Sequence, residues 1–237
     1  MQAKDLTIYA VGTKDLAIRY ESVATLKPLV ANSATLAPLE RETLKNQGWY
    51  FDDEGDNIST LNPWWGELTG VYWLLQNTSD PLVGNAQYRR YWLDEAIEKS
   101  NENQLYIQET CLFNCSLATQ FRGGHSFRGI EMTMEAAAQG KLPFNSSEMA
   151  AIWNQNHFFG GPMARGPRQQ YAALMTVLFD CLWPIWEANE EEIKQLHGYD
   201  QRAMAFLSER LLSGIILFRE KFFGDMPILC APMCFIP

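Results

Sequence analysis

Arg89 and Arg90 stand side by side in Gln87-Tyr88-Arg89-Arg90-Tyr91, just after a short apolar run, and two adjacent guanidinium groups at such a point can grip one small anion. A guanidinium is planar, stays charged at any working pH and donates paired hydrogen bonds to phosphate oxygens. The competing reading has both arginines paired with Glu67 or with the acidic loop of Asp52, Asp53, Glu54 and Asp56. That loop is either a site for a divalent cation such as Mn or Mg, which takes carboxylate, water and phosphate oxygens, or an ordinary turn of Asp, Gly and Asn. Glu209 sits among Met204, Phe206, Leu207, Leu211, Leu212 and Ile215. A carboxylate in such company either finds a partner, with Arg202 and Arg210 in reach along the chain, or rises in pKa toward a value useful for proton transfer. In His157-Phe158-Phe159-Gly160-Gly161 the glycines either let backbone approach a ligand closely or simply end a strand in a turn. His125 and His197 lack metal-ligand spacing and read as surface or structural histidines.

These residues need elements to hold them. Leu6 to Val11 reads as a short buried strand, and Lys27 to Leu39 as an irregular or weakly helical region broken by Pro28 and Pro38. Asn62-Pro63 has the cap and first-turn proline of a helix start. That helix is expected to run to about Gln76, with Trp64, Leu68, Val71, Tyr72 and Leu75 as its core stripe. Leu82 to Ala86 is the next strand, followed by a basic-aromatic loop from Gln87 to Trp92. Further on, Gln104 to Glu109 reads as a strand, Gly123-Gly124 as a turn, and Glu131 to Gln139 as a helix closed by Gly140. Asn145 and Glu148 have capping-box spacing. Pro167 opens a long apolar helix expected to kink near Pro184, and a last helix begins near Asp200, with Asp200 as a candidate cap. Strands alternating with helices predict an α/β sheet whose ligand crevice lies beyond the carboxyl ends of its strands.

Composition narrows the partners. The chain has 237 residues and a net charge of -9, which disfavours a surface that tracks nucleic-acid phosphates. Five cysteines without tight metal-site spacing are expected to be buried thiols, and their odd number fits a reducing cytoplasm. No stretch approaches the roughly 20 apolar residues of a membrane span. Eight tryptophans leave room for sugar stacking or for peripheral docking at a membrane surface.

The pattern D-x-x-G-D-N-I-S from Asp52, then Asn62-Pro63, Glu67-Leu68-Thr69 with Tyr72-Trp73, and Val83-Gly84 leading into Tyr88-Arg89-Arg90-Tyr91 resembles a bacterial domain. This is the domain of capsular-polysaccharide and O-antigen glycosyltransferases, whose hallmark is a strand running into H-Y-R-R-Y. Tyr199-Asp200 with Arg202, followed by Phe206-Leu207-Ser208-Glu209-Arg210-Leu211-Leu212, is similar to that family's closing signature. The resemblance implies a single GT-A-like α/β domain over residues 1–237, with a mixed central sheet flanked by helices. The donor-binding half would be about 1–95 and the acceptor-side half about 96–237. It implies transfer of a sugar from a nucleotide-sugar donor to a glycan or lipid-linked glycan, in the cytoplasm or at the inner face of the membrane. The alternative is a non-catalytic nucleotide-sugar- or glycan-binding domain of a polysaccharide-assembly system. Donor binding then falls to Thr13, Lys14, Asp56, Asn57, Glu67, Tyr88, Arg89 and Arg90, the acceptor side to His157, Gly160 and Gly161, and catalysis to Glu209 and Asp200, with no protein metal ligands assigned. Glu209 would share a crevice with Arg89 and Arg90. Thr13 and Gln87 stand where the family carries histidine, and the D-x-D of many GT-A enzymes is absent, leaving the leaving diphosphate to the arginines.

Overall fold

The computed structural model describes residues 5–13, 22–87 and 89–235. Lys14 and Tyr88 lie outside them. In chain order the elements are β1 (Leu6–Gly12), β2 (Thr25–Val30), α1 (Pro38–Asn46), β3 (Tyr50–Phe51), α2 (Asn62–Trp65), α3 (Leu68–Asn77), β4 (Leu82–Gln87), β5 (Arg90–Trp92), α4 (Asp94–Glu98) and β6 (Leu105–Gln108). There follow β7 (Cys111–Leu112), α5 (Leu117–Gly124), α6 (Gly129–Ala138), α7 (Ser146–Asn154), β8 (His157–Phe158), β9 (Ala164–Pro167), α8 (Arg168–Lys194), α9 (Ala203–Leu217), α10 (Arg219–Phe223), β10 (Ile228–Ala231) and β11 (Met233–Phe235). They form two compact units: residues 1–109, 163–173 and 226–237 in the first, and 110–162 and 174–225 in the second.

The first unit is built on a nine-stranded mixed sheet ordered β10-β6-β9-β4-β1-β2-β3, with β5 pairing β4 and β11 pairing β5. Strands β4, β1, β2 and β3 are mutually parallel, and β9 runs against β4 and β6. Every residue of β1 is buried, as a parallel strand covered on both faces requires. One face packs Leu6, Ile8, Ala10 and Ala86 under Tyr91, Trp92 and Tyr106. On the other face Gly70 of α3 lies so close to β1 that a Cβ there would stand 2.5 Å from Val11 Cγ1. Arg168 donates to the Leu74 carbonyl at 3.1 Å and to that of Leu75, closing the carboxyl end of α3. Arg165 is a buried cation, 1% exposed, donating to Ser100 Oγ at 2.6 Å and the Ala96 carbonyl at 3.0 Å over the rings of Trp92 and Tyr106. Burial pulls its pKa down to about 10.

Four local expectations change in this unit. The region expected to be irregular contains strand β2, with Pro28 in its middle. Its neighbour β3 pairs only with Leu29 and Val30, so the missing proline donor costs no ladder bond on that side. Pro38 then starts α1 at a position where its missing donor is harmless. The single helix expected from Asn62 to Gln76 is broken at Gly66 (φ 56), which moves the buried stripe to Trp65, Leu68, Val71 and Leu74 and leaves Trp64, Tyr72 and Leu75 half-buried. The basic-aromatic loop after β4 is a hairpin, with Gln87 facing Arg90 and β5 continuing onto β11.

The second unit is helical apart from the short β7-β8 ribbon. Leu174, Met175, Leu178, Cys181, Leu182 and Ile185 of α8 are buried, as are Leu207, Leu211, Leu212 and Ile215 of α9. Gly123-Gly124 ends α5, whose start is capped by Ser116, in place of the expected turn. The capping box forms, with Asn145 and Glu148 exchanging bonds of 2.8 and 2.9 Å. Helix α8 continues through Pro184 and loses helical dihedrals at Asn189 (φ -132), whose side chain takes the Ile185 carbonyl at 2.8 Å. Of the cysteines only Cys181 is buried, so the expectation of buried thiols fails at Cys111, Cys115, Cys230 and Cys234.

Candidate functional site

The sheet order singles out one edge of the first unit as the candidate ligand crevice. From β1 the chain steps outward to β2 and β3, then returns to place β4 on the other side of β1, so the switch point lies between β1 and β4. In open α/β sheets the ligand crevice opens beyond the carboxyl ends at such a point. Those ends are Gly12, followed by exposed Thr13, and Gln87, which pairs with Val11 across the ladder.

Gln87 is 5% exposed and donates from Nε2 to Glu67 Oε1 at 3.0 Å, while Arg90 Nη1 donates to its Oε1. Glu67 immediately precedes α3, so its carboxylate reaches the switch point from the α3 side of the sheet. Arg89 is exposed on the turn and Arg90 is half-buried. The structure thus gathers Glu67, Gln87 and Arg90 at one strand end. Gln87 joins the candidate cluster only in the structure; the signal in the sequence is its place between a strand and two arginines.

The acidic loop is organised differently. Asp52 is fully buried and accepts five hydrogen bonds, from the amides of Asn32 and Ser33 and the hydroxyls of Ser33, Ser59 and Thr69, at 2.6 to 3.0 Å. Asp53 takes both Nη atoms of Arg41 at 2.8 Å, and Glu54 takes a third contact from it. Burial alone would raise the Asp53 pKa, but the bonds from Arg41 and Ser33 outweigh it and hold the carboxyl below the usual range. The Asp52 and Asp53 oxygens are thus engaged within the loop, and no group of three His, Cys, Asp or Glu side chains among the described residues is placed to hold a metal. Asp56 is exposed, with the Tyr72 hydroxyl 3.4 Å from its carboxylate, and Asn57 donates to the carbonyls of Asp53 and Gly55, so both shape the loop. Asp52→Asn turns an acceptor into a donor among five donors and strands buried partners. It is expected to cost about 2–4 kcal/mol, read as a lower urea midpoint at unchanged slope. A loss below about 0.5 kcal/mol would refute the hub role.

In the second unit, His157 to Gly161 packs along α9. The Phe159 amide donates to Ser213 Oγ at 3.1 Å, and Ser213 donates to the Glu209 carbonyl at 2.8 Å. Gly161 has φ 105, which only glycine adopts without strain, while His157 is exposed and Gly160 half-buried. Glu209 pairs with Arg210 at 2.8 Å. Arg210 is 2% exposed, lies over the rings of Phe121 and Phe158, and also donates to the Phe206 carbonyl and Gln120 Oε1. The described unit therefore joins Glu209 to the His157–Gly161 segment through one residue and one helical turn.

Asp200 lies inside a short 3-10 segment, Gly198–Arg202, where His197 holds the cap position. Its oxygens accept from the Ser126 amide at 2.9 Å and from Ser126 Oγ, with His125 Nδ1 at 3.0 Å. His125, read from sequence as surface or structural, has a side chain 3% exposed, packed on Phe121, Phe127 and Phe206 and stacked on Tyr199. Burial lowers the His125 pKa against the pull of Asp200. For Asp200 burial acts to raise the pKa, and the bonds from Ser126 and His125 lower it overall. Both folded values lie below the unfolded ones, so both groups contribute stability that is lost on acidification. The His125 share is complete above about pH 6.5 and the Asp200 share above about pH 4, each fading as pH falls through the folded value. Urea titrations are expected to show stability declining from about pH 6.5 downward; in Asp200→Asn the decline is at least as steep between about pH 4 and pH 6.5, where His125 titrates without the pull of Asp200, and shallower below about pH 4, where the Asp200 share is gone. Identical pH slopes in the two proteins would refute the coupling.

The fold is GT-A-like: a mixed, mostly parallel sheet flanked by helices, with polar side chains gathered at the β1/β4 switch point. The chain belongs to the family described as "Domain of unknown function (DUF4422)", which matches residues 26–217. A solved structure titled "WbbM bifunctional glycosytransferase apo structure" is similar in fold, with a TM-score of 0.73 and 19% identity over 98% of this chain. The chain spans 45% of the length of that one. No curated protein matches. Among the described residues no helix is long and apolar enough to cross a membrane.

Proposed function

We propose that the chain is a glycosyltransferase that moves a sugar from a nucleoside-diphosphate donor to a hydroxyl of a cell-surface polysaccharide or lipid-linked glycan, at the cytoplasmic face of the membrane. The observation that carries this reading is the cluster of Glu67, Gln87 and Arg90 beside Thr13 at the switch point of a GT-A-like sheet. In such a transfer the bond from the anomeric carbon to the diphosphate breaks, the acceptor oxygen takes its place, and the acceptor proton passes to a base. Arg89 and Arg90 supply the positive charge that the leaving diphosphate needs, in place of a metal held by D-x-D. Glu209 and Asp200 are the candidate acceptor-side carboxylates on this reading, Asp200 acting through His125. The engagement of Glu209 by Arg210 favours one alternative, a domain that binds the nucleotide sugar or glycan without turning it over. Incubating the protein with a panel of nucleotide sugars, with and without manganese, separates the two. Release of nucleoside diphosphate supports the transferase, binding without release supports the alternative, and no binding overturns both.

A further inference from the structure

Resting on the donor-site reading, we infer that Gln87 is a positioning residue: its uncharged amide links Arg90 to Glu67 at the β1/β4 edge and makes presentation of the arginine to a diphosphate insensitive to pH. The link is directional. Arg90 offers only donors and Glu67 in its ionised form only acceptors, so whatever bridges them must accept on one side and donate on the other. Gln87 does this, with Oε1 facing Arg90 and Nε2 standing 3.0 Å from Glu67. The amide is almost fully buried, at the end of a strand paired to β1, so its orientation is set by the fold and it cannot swing away to water.

The bridge also keeps a cation and an anion near each other without merging them. A direct ion pair would spend the Arg90 fork on Glu67, whereas a neutral spacer lets the guanidinium keep donors for an incoming anion. Among neutral side chains, imidazole can bridge in the same sense, one nitrogen accepting and the other donating. It loses its acceptor on protonation, near pH 6.5 for an ordinary histidine. A carboxylate at this position accepts from Arg90 but meets Glu67 as a like charge, which is relieved only when a proton is shared between them. Among the described residues, the charged groups bonded to Gln87 are Glu67 from the start of α3 and Arg90 from β5, with Arg89 exposed on the connecting turn. The facing residue on β1 is Val11, which does not titrate.

The consequence is a pair of opposite pH slopes. Binding of uridine and guanosine diphosphate to the full chain is measured by calorimetry near pH 8 and near pH 5.5 for the unaltered protein, Gln87→His, Gln87→Glu and Gln87→Met. Each variant is expressed relative to the unaltered protein at the same pH, which cancels titration of the phosphate itself. Gln87→His is expected to bind within about threefold of the unaltered protein near pH 8 and at least about tenfold more weakly near pH 5.5. Gln87→Glu is expected to show the reverse, weak near pH 8 and partly restored near pH 5.5, while Gln87→Met is weak at both. A packing role alone gives losses without slopes, so equal losses at both pH values, or no loss in any variant, overturn the inference while leaving the donor site standing. Failure of the unaltered protein to bind either diphosphate overturns the donor-site reading itself, and the inference with it. Thermal melts of the same preparations show which variants are folded, and any one folded variant of the charged pair gives a slope whose sign decides.

Discussion

Arg90→Ala is expected to weaken nucleotide-sugar binding by roughly ten- to a hundredfold while costing no more than about 1–2 kcal/mol of unfolding free energy, through the Gln87 Oε1 left without its donor. The magnitude is that of one charge-assisted contact, about 1.5–3 kcal/mol. The asymmetry between binding and stability follows from where the residue stands. Arg90 is half-buried at the first position of a three-residue strand, and its side chain is oriented by Gln87. Its hydrophobic neighbours Tyr91 and Trp92 carry the packing of the hairpin, each about 1% exposed. Truncating Arg90 therefore removes charge and leaves that packing in place. Arg89→Ala is expected to act in the same direction with a smaller loss, because Arg89 is exposed on the turn and more of its reach is spent in water. Calorimetry with the donor identified by the nucleotide-sugar panel reads the first quantity and urea unfolding the second. Unchanged affinity in both folded variants would remove the arginines from the donor site.

The sequence showed the strands well where apolar residues dominate, as in Leu6 to Val11 and Leu82 to Ala86, because burial on both faces keeps polar positions few, here Thr7 and Asn85. It misled at Pro28, since a proline argues against a strand unless the neighbour on that side is too short to need the donor, and the length of β3 is a tertiary fact. It misled again at Gly66, where the same glycine is tolerated in a helix or breaks one, and the positive-φ conformation found there is not encoded by the residue alone. The candidate site residues follow a similar division. Arg90 and Glu67 were legible because charged side chains beside an apolar strand need a reason to be there. Asp52 had an obvious charge and a hidden role: its five donors come from segments between residues 32 and 69, and only folding reveals that they converge. The His125–Asp200 contact spans 75 positions and carries no local signal at all. The sharing of a crevice by Glu209 with Arg89 and Arg90 stays an expectation, since the arginines belong to one unit and Glu209 to the other.

Glu209→Gln is expected to be clearly destabilising. The substitution leaves Arg210, 2% exposed between the rings of Phe121 and Phe158, without its carboxylate. Breaking a buried ion pair by removing one partner costs about 3–5 kcal/mol. Here an amide oxygen can still accept from Nη1, the Phe206 carbonyl and Gln120 remain, and the Glu209 side chain is 17% exposed, so a cost at or below the bottom of that range, about 2–3 kcal/mol, applies. For a chain of this size that is a fall of about 5–10 °C in melting temperature. The double variant Glu209→Gln with Arg210→Met removes the stranded cation as well, and is expected to recover at least half of that loss, because an apolar side chain of similar length suits the same aromatic surroundings. The pair of variants also decides what the carboxylate does. If Glu209 takes part in chemistry, turnover per folded molecule falls by at least about tenfold in the single variant and stays low in the double one, since restoring stability does not restore a charge or a base. If Glu209 only neutralises Arg210, turnover per folded molecule stays near that of the unaltered protein in the single variant and in the stabilised double variant. Melting temperature and turnover measured on the same preparations therefore separate the two roles, and near-normal turnover in the single variant would remove Glu209 from the acceptor side.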